Sequence, residues 1–356
     1  MYSRKISEVP ESIISDGEAA FGTYMSVPKK LDIRGMKNPF VTVPLPSFFT
    51  NFRIKSRLAY MFKLGDYIGI IEFFDDKVFG FAELIFWNTK TGKRFSYPTL
   101  MFFRRRFVPT KTDSAVCTTH QKAHQIRIWW SRKYKRATVS FDIKKRSGKP
   151  RVFGNFVSSF GDNNHSEMLA VMPHPNARRC SASWVSILKI KGSISLVQDK
   201  KNETEQMQTT DGLAVMVLNR TYHRYHSKSE MMCAIGEHEG KTIQFRFTST
   251  SSEANDTDEY NENVFSVNGI ITPMPAVCIT HPFGIRKEWI IQDTESMIDL
   301  TFTPVSVARR ILNIFIMRSH YNTIYGTFDG VLVDGSGNKY SLKKFPGIVK
   351  KHTLRV

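Results

Sequence analysis

The sequence predicts an all-β protein assembled from antiparallel hairpins, and three observations carry that expectation. Short apolar segments recur along the chain, each closed by turns bearing Gly, Asn or Asp. Aromatic residues make up 12% of the 356 residues, with 27 Phe, and such side chains fit a pleated, half-buried surface. Amphipathic helices are scarce: VSVARRI at 305–311 is the best stretch and is read as a short helix.

Taken in order, the first 50 residues are Pro-rich and irregular, and are expected to wrap the surface before pairing begins. YIGIIEFF (67–74) and VFGFAELIFW (78–87) read as strands joined across Asp75-Asp76-Lys77, and WNTKTGKRFSY (87–97) supplies the next turn. Ile126, Ile128 and Trp130 alternate to one face, as do Ala137, Val139, Phe141 and Ile143, so both runs read as strands with one buried face. Trp130 then belongs to the core and Trp129 points away from it. SRKYKR (131–136) becomes the turn between these strands and KKRSGK (144–149) the next one. GDNNHSEMLAVMPHPNARRCS (161–181) lacks clean alternation and reads as a break, after which WVSILKI (184–190) and SISLV (193–197) start new strands. Further turns fall at GEHEGK (236–241), VNG (267–269) and VDGSGNKY (333–340). The expected organisation is an irregular segment 1–50, a basic β domain 51–175 and a second β domain 176–356.

The formal net charge is +19, which favours anionic partners without choosing among RNA, an anionic lipid surface and an acidic protein. The charge is uneven: residues 101–151 hold 15 Lys or Arg against Asp113 and Asp142, whereas 249–262 hold five acids and no base. Strand periodicity places the cations at connecting turns rather than along one stripe. The anion-contact candidates are Arg104, Arg105, Arg106, Arg132, Lys133, Lys135, Arg136, Lys144, Lys145 and Arg146. Such clusters position a polyanion but specify no base sequence, and no recognition helix or zinc-finger spacing is present.

Cys117, Cys180, Cys233 and Cys278 are scattered and form no CxxC pair, so they read as thiols of the cytoplasm or another reducing compartment. The first residues lack the apolar core of a secretory signal, and no window of 18 apolar residues predicts a transmembrane segment. HRYH places His223 and His226 on opposite faces of a strand, which is poor ligand geometry, so no metal site is expected. GxSxG, HExxH and P-loop patterns are absent, and no bound cofactor is expected.

The stretch 288–347 carries a resemblance. Trp289 opens a strand, then come DLTFTP (299–304), MRS (317–319), YGTFDG (325–330), a turn at Asp334-Gly335 and a closing Gly347. With NENVFSVNG (261–269) and the entry at 51–92, the pattern resembles an uncharacterised family, domain of unknown function 2804, over about residues 17–356. That family is distantly similar to the lipocalin-like superfamily of AttH, carotenoid hydratases and fungal cyclases. The resemblance implies two consecutive lipocalin-like antiparallel β-barrel or sandwich domains, with a cavity for an apolar ligand. It assigns no reaction. Where the family tends to carry a Trp-rich strand, this chain has EMMCAIGE (230–237), and its end lacks the usual G-x-x-E after Gly347.

Those departures favour a non-catalytic binding or assembly protein that docks anionic partners through its basic loop tips. The alternative is a carrier of an apolar small molecule, or a hydratase/isomerase-like enzyme acting on one, such as a lipid or terpenoid. In that case Asp211, Glu262, His223 and Trp289 are the candidate polar groups of a β-barrel cavity.

Overall fold

Leu58, Tyr60, Phe62 and Leu64 alternate to one face of the strand Ile54–Leu64, Ala59 and Met61 alternate to the other, and all six are buried. A strand buried on both faces lies between two apolar layers, and that sandwiching organises the molecule. The computed structural model describes residues 2–40, 45–77, 79–102, 107–119, 121–145, 148–161, 165–174, 176–197, 204–206, 209–249, 257–314 and 317–355. Among these, one six-residue helix, Ser47–Phe52, accompanies two large antiparallel sheets.

The first sheet runs in space through Arg94–Phe102, Phe79–Asn88, Tyr67–Asp75, Ile54–Leu64, Thr210–Tyr222, Cys180–Val197, Arg151–Ser159, Arg136–Ile143, His124–Ser131 and Ser114–Thr118. Its curled interior is filled by Tyr60, Phe62, Phe73, Phe86, Trp130, Phe156 and Trp184, among others. The second sheet runs through Ile270–Pro273, Val264–Val267, Lys241–Thr248, His226–His238, Lys339–Arg355, Met317–Val333, Ile298–Ile314, Trp289–Gln292 and Cys278–Thr280. Phe245, Phe247, Phe265, Trp289, Phe302 and Phe328 fill its concave side. The outer faces of the two sheets meet in a third apolar layer, where Met61, Ile70, Trp87, Val185 and Val215 face Met231, Ile235, Tyr325 and Ile348.

Turn chemistry matches the sequence in several places. Glu239 and Gly240 both take positive φ between His226–His238 and Lys241–Thr248, and Asn268 and Gly269 do so between the next pair of strands. The basic hairpin also folds as its alternation predicts. Trp130 pairs with Ala137, Ile128 with Val139 and Ile126 with Phe141, all buried, while Trp129 points away toward Tyr134.

One expectation is corrected. Residues 305–311 form no helix; they lie inside the strand Ile298–Ile314, just past an irregularity at Pro304/Ser306. Val305 is 58% exposed there, while Val307 packs against the second core and its neighbour Ala308 is buried in the inter-sheet layer, the two faces of a strand rather than one helical stripe. Ser166–Pro173 and Cys180–Val197 pair as antiparallel neighbours within the first sheet. That sheet continues to Tyr222, and the second begins at His226.

Candidate functional site

The layer between the sheets changes character toward one end. Along Ile54–Leu64 the face that presents Ala59 and Met61 continues, at the same period of two, into Arg57 and Lys55. On Tyr67–Asp75, Ile68 and Ile70 are followed by Glu72, and on Lys339–Arg355, Ile348 is followed by Lys350 and His352. Arg246 holds the matching place on Lys241–Thr248, and Tyr321 on Met317–Val333. These residues open onto a cavity of about 110 Å³ between the two sheets. Met61, Phe81, Met172, Val217 and Met231 form apolar wall, while Arg57, Glu72, Arg246, Glu262 and Lys350 form the polar side. At about 30 Å³ per water in the liquid, that volume corresponds to roughly four waters.

The polar side is a cross-sheet ion network. Lys350 donates to Glu72 Oε2, and Arg57 Nε lies 2.6 Å from Glu72 Oε1. Arg246 donates to Glu262 Oε1 at 3.1 Å, and both side chains are more than nine-tenths buried. Arg57 Nη2 and Arg246 Nη1 are buried here with no hydrogen-bond partner among the described residues, and the Ser183 hydroxyl is the polar group beside the second oxygen of Glu262. Native interiors rarely leave such groups unmatched, because each costs about 1–3 kcal/mol or more when charged.

Burial and neighbouring charge set the protonation states. Burial would raise Glu72, but Arg57 and Lys350 outweigh it and hold the carboxyl down at about 2. Glu262 is likewise lowered, burial being overcome by Arg246, so both carboxylates are ionised at neutral pH. Burial lowers Lys350, with Glu72 opposing that shift. The three cavity histidines are held neutral. Burial and then Arg224 take His174 to about 4, burial and then Lys350 take His352 to about 3, and burial and His174 push His223 well below the usual imidazole value. His352 Nε2 pairs with Ser319 Oγ at 2.8 Å, and His223 Nδ1 with Ser227 Oγ at 3.3 Å.

Of the candidate cavity residues read from sequence, Glu262 and His223 line this cavity. Asp211 is exposed near the end of Thr210–Tyr222, opposite Lys191. Trp289 sits in the second core, its Nε1 donating to Ile285 O at 3.3 Å. The four are therefore not brought together, and the cavity lies between the sheets rather than inside a barrel. Arg57, Glu72, His174, Arg246, Tyr321, Lys350 and His352 escaped sequence reading. Their signal was a charge interrupting an apolar period, as Arg57 does in IKSRLAYMF and Glu72 in YIGIIEFF. Among the described residues, no three His, Cys, Asp or Glu side chains form a metal cluster, and no helix is long and apolar enough to cross a membrane.

The basic residues have a different fate. Arg132 donates to Glu167 Oε2 at 2.6 Å and stacks over Phe160 and Trp184. Lys133, Lys135 and Arg136 are exposed at one end of the strand Arg136–Ile143, and Lys144 and Lys145 at the other, roughly 23 Å away. Arg104, Arg105, Arg106 and Arg146 lie outside the described residues.

A family model described as a domain of unknown function (DUF2804) matches residues 17–356. No curated protein matches the sequence. Among solved structures, an AttH-type protein of Nitrosomonas europaea is similar at 11% identity and a TM-score of 0.50, over 88% of this chain and 97% of that one. A crystal structure of CghA with Sch210972 aligns at 8% identity and a TM-score of 0.44, over 85% of this chain and 88% of that one. Kievitone hydratase from Nectria haematococca aligns at 8% identity and a TM-score of 0.42, with the same two coverages. At these identities the likeness concerns the fold: an all-β, lipocalin-like pair of curled antiparallel sheets. Together with the cavity, this overturns the expectation of a non-catalytic assembly protein docking anionic partners through basic loop tips. Unmatched donors of Arg57 and Arg246 face the inter-sheet cavity, whereas the described loop cations are split between two ends of a hairpin or paired internally.

Proposed function

We propose that this chain, which belongs to the DUF2804 family, binds an apolar small molecule between its two sheets and acts on it as a hydratase/isomerase-like enzyme. The observation supporting this reading is the ionised, buried Glu262 beside Arg246, whose Nη1 is unmatched, at the polar side of a methionine-lined cavity. A carboxylate and a guanidinium so placed suit proton abstraction next to a carbonyl. Glu262 takes the proton from carbon, the electron pair moves onto the carbonyl oxygen, and Arg246 stabilises the resulting oxyanion. Collapse of that enolate expels a neighbouring hydroxyl, which takes the proton back from Glu262 and leaves as water; hydration is the reverse. Return of the proton to another carbon gives isomerisation.

Met61, Met172 and Met231 make the wall adaptable, which suits an apolar body of irregular shape. The thiols Cys117, Cys180 and Cys233 are buried and unbridged, which supports a reducing compartment. The test is native mass spectrometry of the purified chain, followed by incubation of any co-purified molecule in D₂O. We expect a bound apolar compound that gains deuterium with the wild-type protein and not with Glu262→Gln. An empty protein that no apolar compound stabilises would overturn the reading.

A further inference from the structure

Three cations, Arg57, Arg246 and Lys350, face two carboxylates, Glu72 and Glu262, across the polar side of the cavity. Two ion pairs lie beside them, Lys55 with Asp76 at 2.9 Å and Arg310 with Glu83 at 3.4 Å. Burial holds His174, His223 and His352 neutral, and Arg224, Arg179 and Arg53 add further positive charge beside the first two. The five groups on the polar side therefore carry a net charge of +1 in a largely buried, low-dielectric space, where excess charge is costly. Arg57 Nη2 and Arg246 Nη1 are both buried and unmatched; Arg246 is held against Glu262, the pair assigned to the reacting atoms, which leaves Arg57, whose Nε is held by Glu72, as the cation with a donor for the rest of the ligand.

We infer that the ligand is an apolar acid carrying a single negative charge, and that Arg57 is the residue selecting it. This rests on the reading of the inter-sheet cavity as the ligand site. A carboxylate, or an equally acidic enol, placed against Arg57 Nη2 neutralises the excess charge and gives that nitrogen its missing acceptor through a charge-assisted hydrogen bond. The apolar body then lies along Met61, Val217 and Met231, leaving Glu262 and Arg246 to the reacting carbon and oxygen. A neutral or cationic molecule of the same shape leaves the charge unbalanced.

Titration calorimetry with octanoate, octanol and octylamine tests this on the full chain. The expected result is octanoate binding about tenfold or more tighter than octanol, with octylamine weaker still. Arg57→Gln should bring the octanoate-to-octanol ratio close to one while octanol affinity stays near wild type, and Arg57→Lys should restore most of the preference. Equal affinity of the wild type for octanoate and octanol, or an undiminished preference in a folded Arg57→Gln protein, overturns the inference but leaves the cavity reading standing. Binding of none of the three compounds overturns both. If Arg57→Gln fails to fold, the wild-type ratio and the Arg57→Lys ratio still decide.

Discussion

Tyr321 Oη donates to Glu83 Oε2 at 3.1 Å, joining residues 238 positions apart on opposite sheets. Glu83 is 2% exposed and also accepts from Ser96 at 2.8 Å and from Arg310. With the Lys350–Glu72 pair, it makes the inter-sheet contact polar at the edge of an otherwise apolar layer. A hydrogen bond to a buried charge contributes about 1.5–3 kcal/mol. Tyr321→Phe should lower stability by about that amount in urea unfolding. A double-mutant cycle with Glu83→Gln should show coupling of about 0.5–3 kcal/mol. Strict additivity of the two changes would mean the contact does not join the sheets energetically.

Stability should fall on acidification in two steps of the same sign. His174 and His352 have folded pKa values of about 4 and about 3, below the ordinary 6.5, so the unfolded chain binds more protons as pH falls below 6.5. The stability of the neutral, buried imidazoles is present above 6.5 and is lost as pH falls toward those folded values. Glu72, held at about 2 against an ordinary 4.5, loses its contribution in a lower window. The urea midpoint should stay level between pH 8 and 7 and decline by pH 5, by on the order of a few kcal/mol in free energy. His174→Gln should flatten the upper part of that decline. A midpoint unchanged down to pH 5 would contradict neutral burial of these rings.

Neighbouring cations in the basic turn should behave differently. Arg132 is bonded to Glu167, which also accepts from Trp184 Nε1 at 2.9 Å, so this guanidinium completes the acceptor shell of a carboxylate inside the first core. Arg132→Ala should cost about 1–3 kcal/mol in thermal or urea unfolding, through the lost charge-assisted bond and the stack on Phe160. Lys133→Ala, at an exposed turn position, should change stability by no more than about 0.5 kcal/mol. Similar effects at the two positions would show that the ion pair contributes nothing.

How much was legible in the sequence depended on how many faces of a strand are buried. The hairpin 124–143 was readable because its alternation is clean: Ile126, Ile128 and Trp130 go inward while Arg127 faces out. Ile54–Leu64 and Thr210–Tyr222 are buried on both faces and pair with each other across some 150 positions, so nothing local reveals that they share a sheet. Long-range pairing, not composition, carries the first sheet on to Tyr222. In the site, a charged residue at an alternate strand position reads as solvent-facing until a second sheet is known to cover it. That hid Arg57, Glu72, Arg246 and Lys350, whereas Glu262 and His223 were among the candidate cavity groups.

The glycines of the family pattern separate into structural and permissive positions. A Cβ on Gly347 would stand 2.3 Å from Phe328 Cε2 and 2.8 Å from Cys233 O, inside the packed crossing of the second sheet. Neither neighbour can yield easily. Phe328 is fully buried among Phe245 and Phe302, and the Cys233 carbonyl belongs to the adjoining strand. Gly335, at the turn after Met317–Val333, would place its Cβ 3.4 Å from Thr272 Cγ2, an ordinary contact. Gly347→Ala should therefore cost about 1–3 kcal/mol through overpacking, and Gly335→Ala no more than about 0.5 kcal/mol. Urea unfolding of the two variants checks this. Gly347 allows Phe328 to pack against the strand that carries Lys350, three residues on, into the cavity. If Gly347→Ala were as stable as Gly335→Ala, that crossing would have to be looser than its contacts indicate, and the position of Lys350 would need another cause.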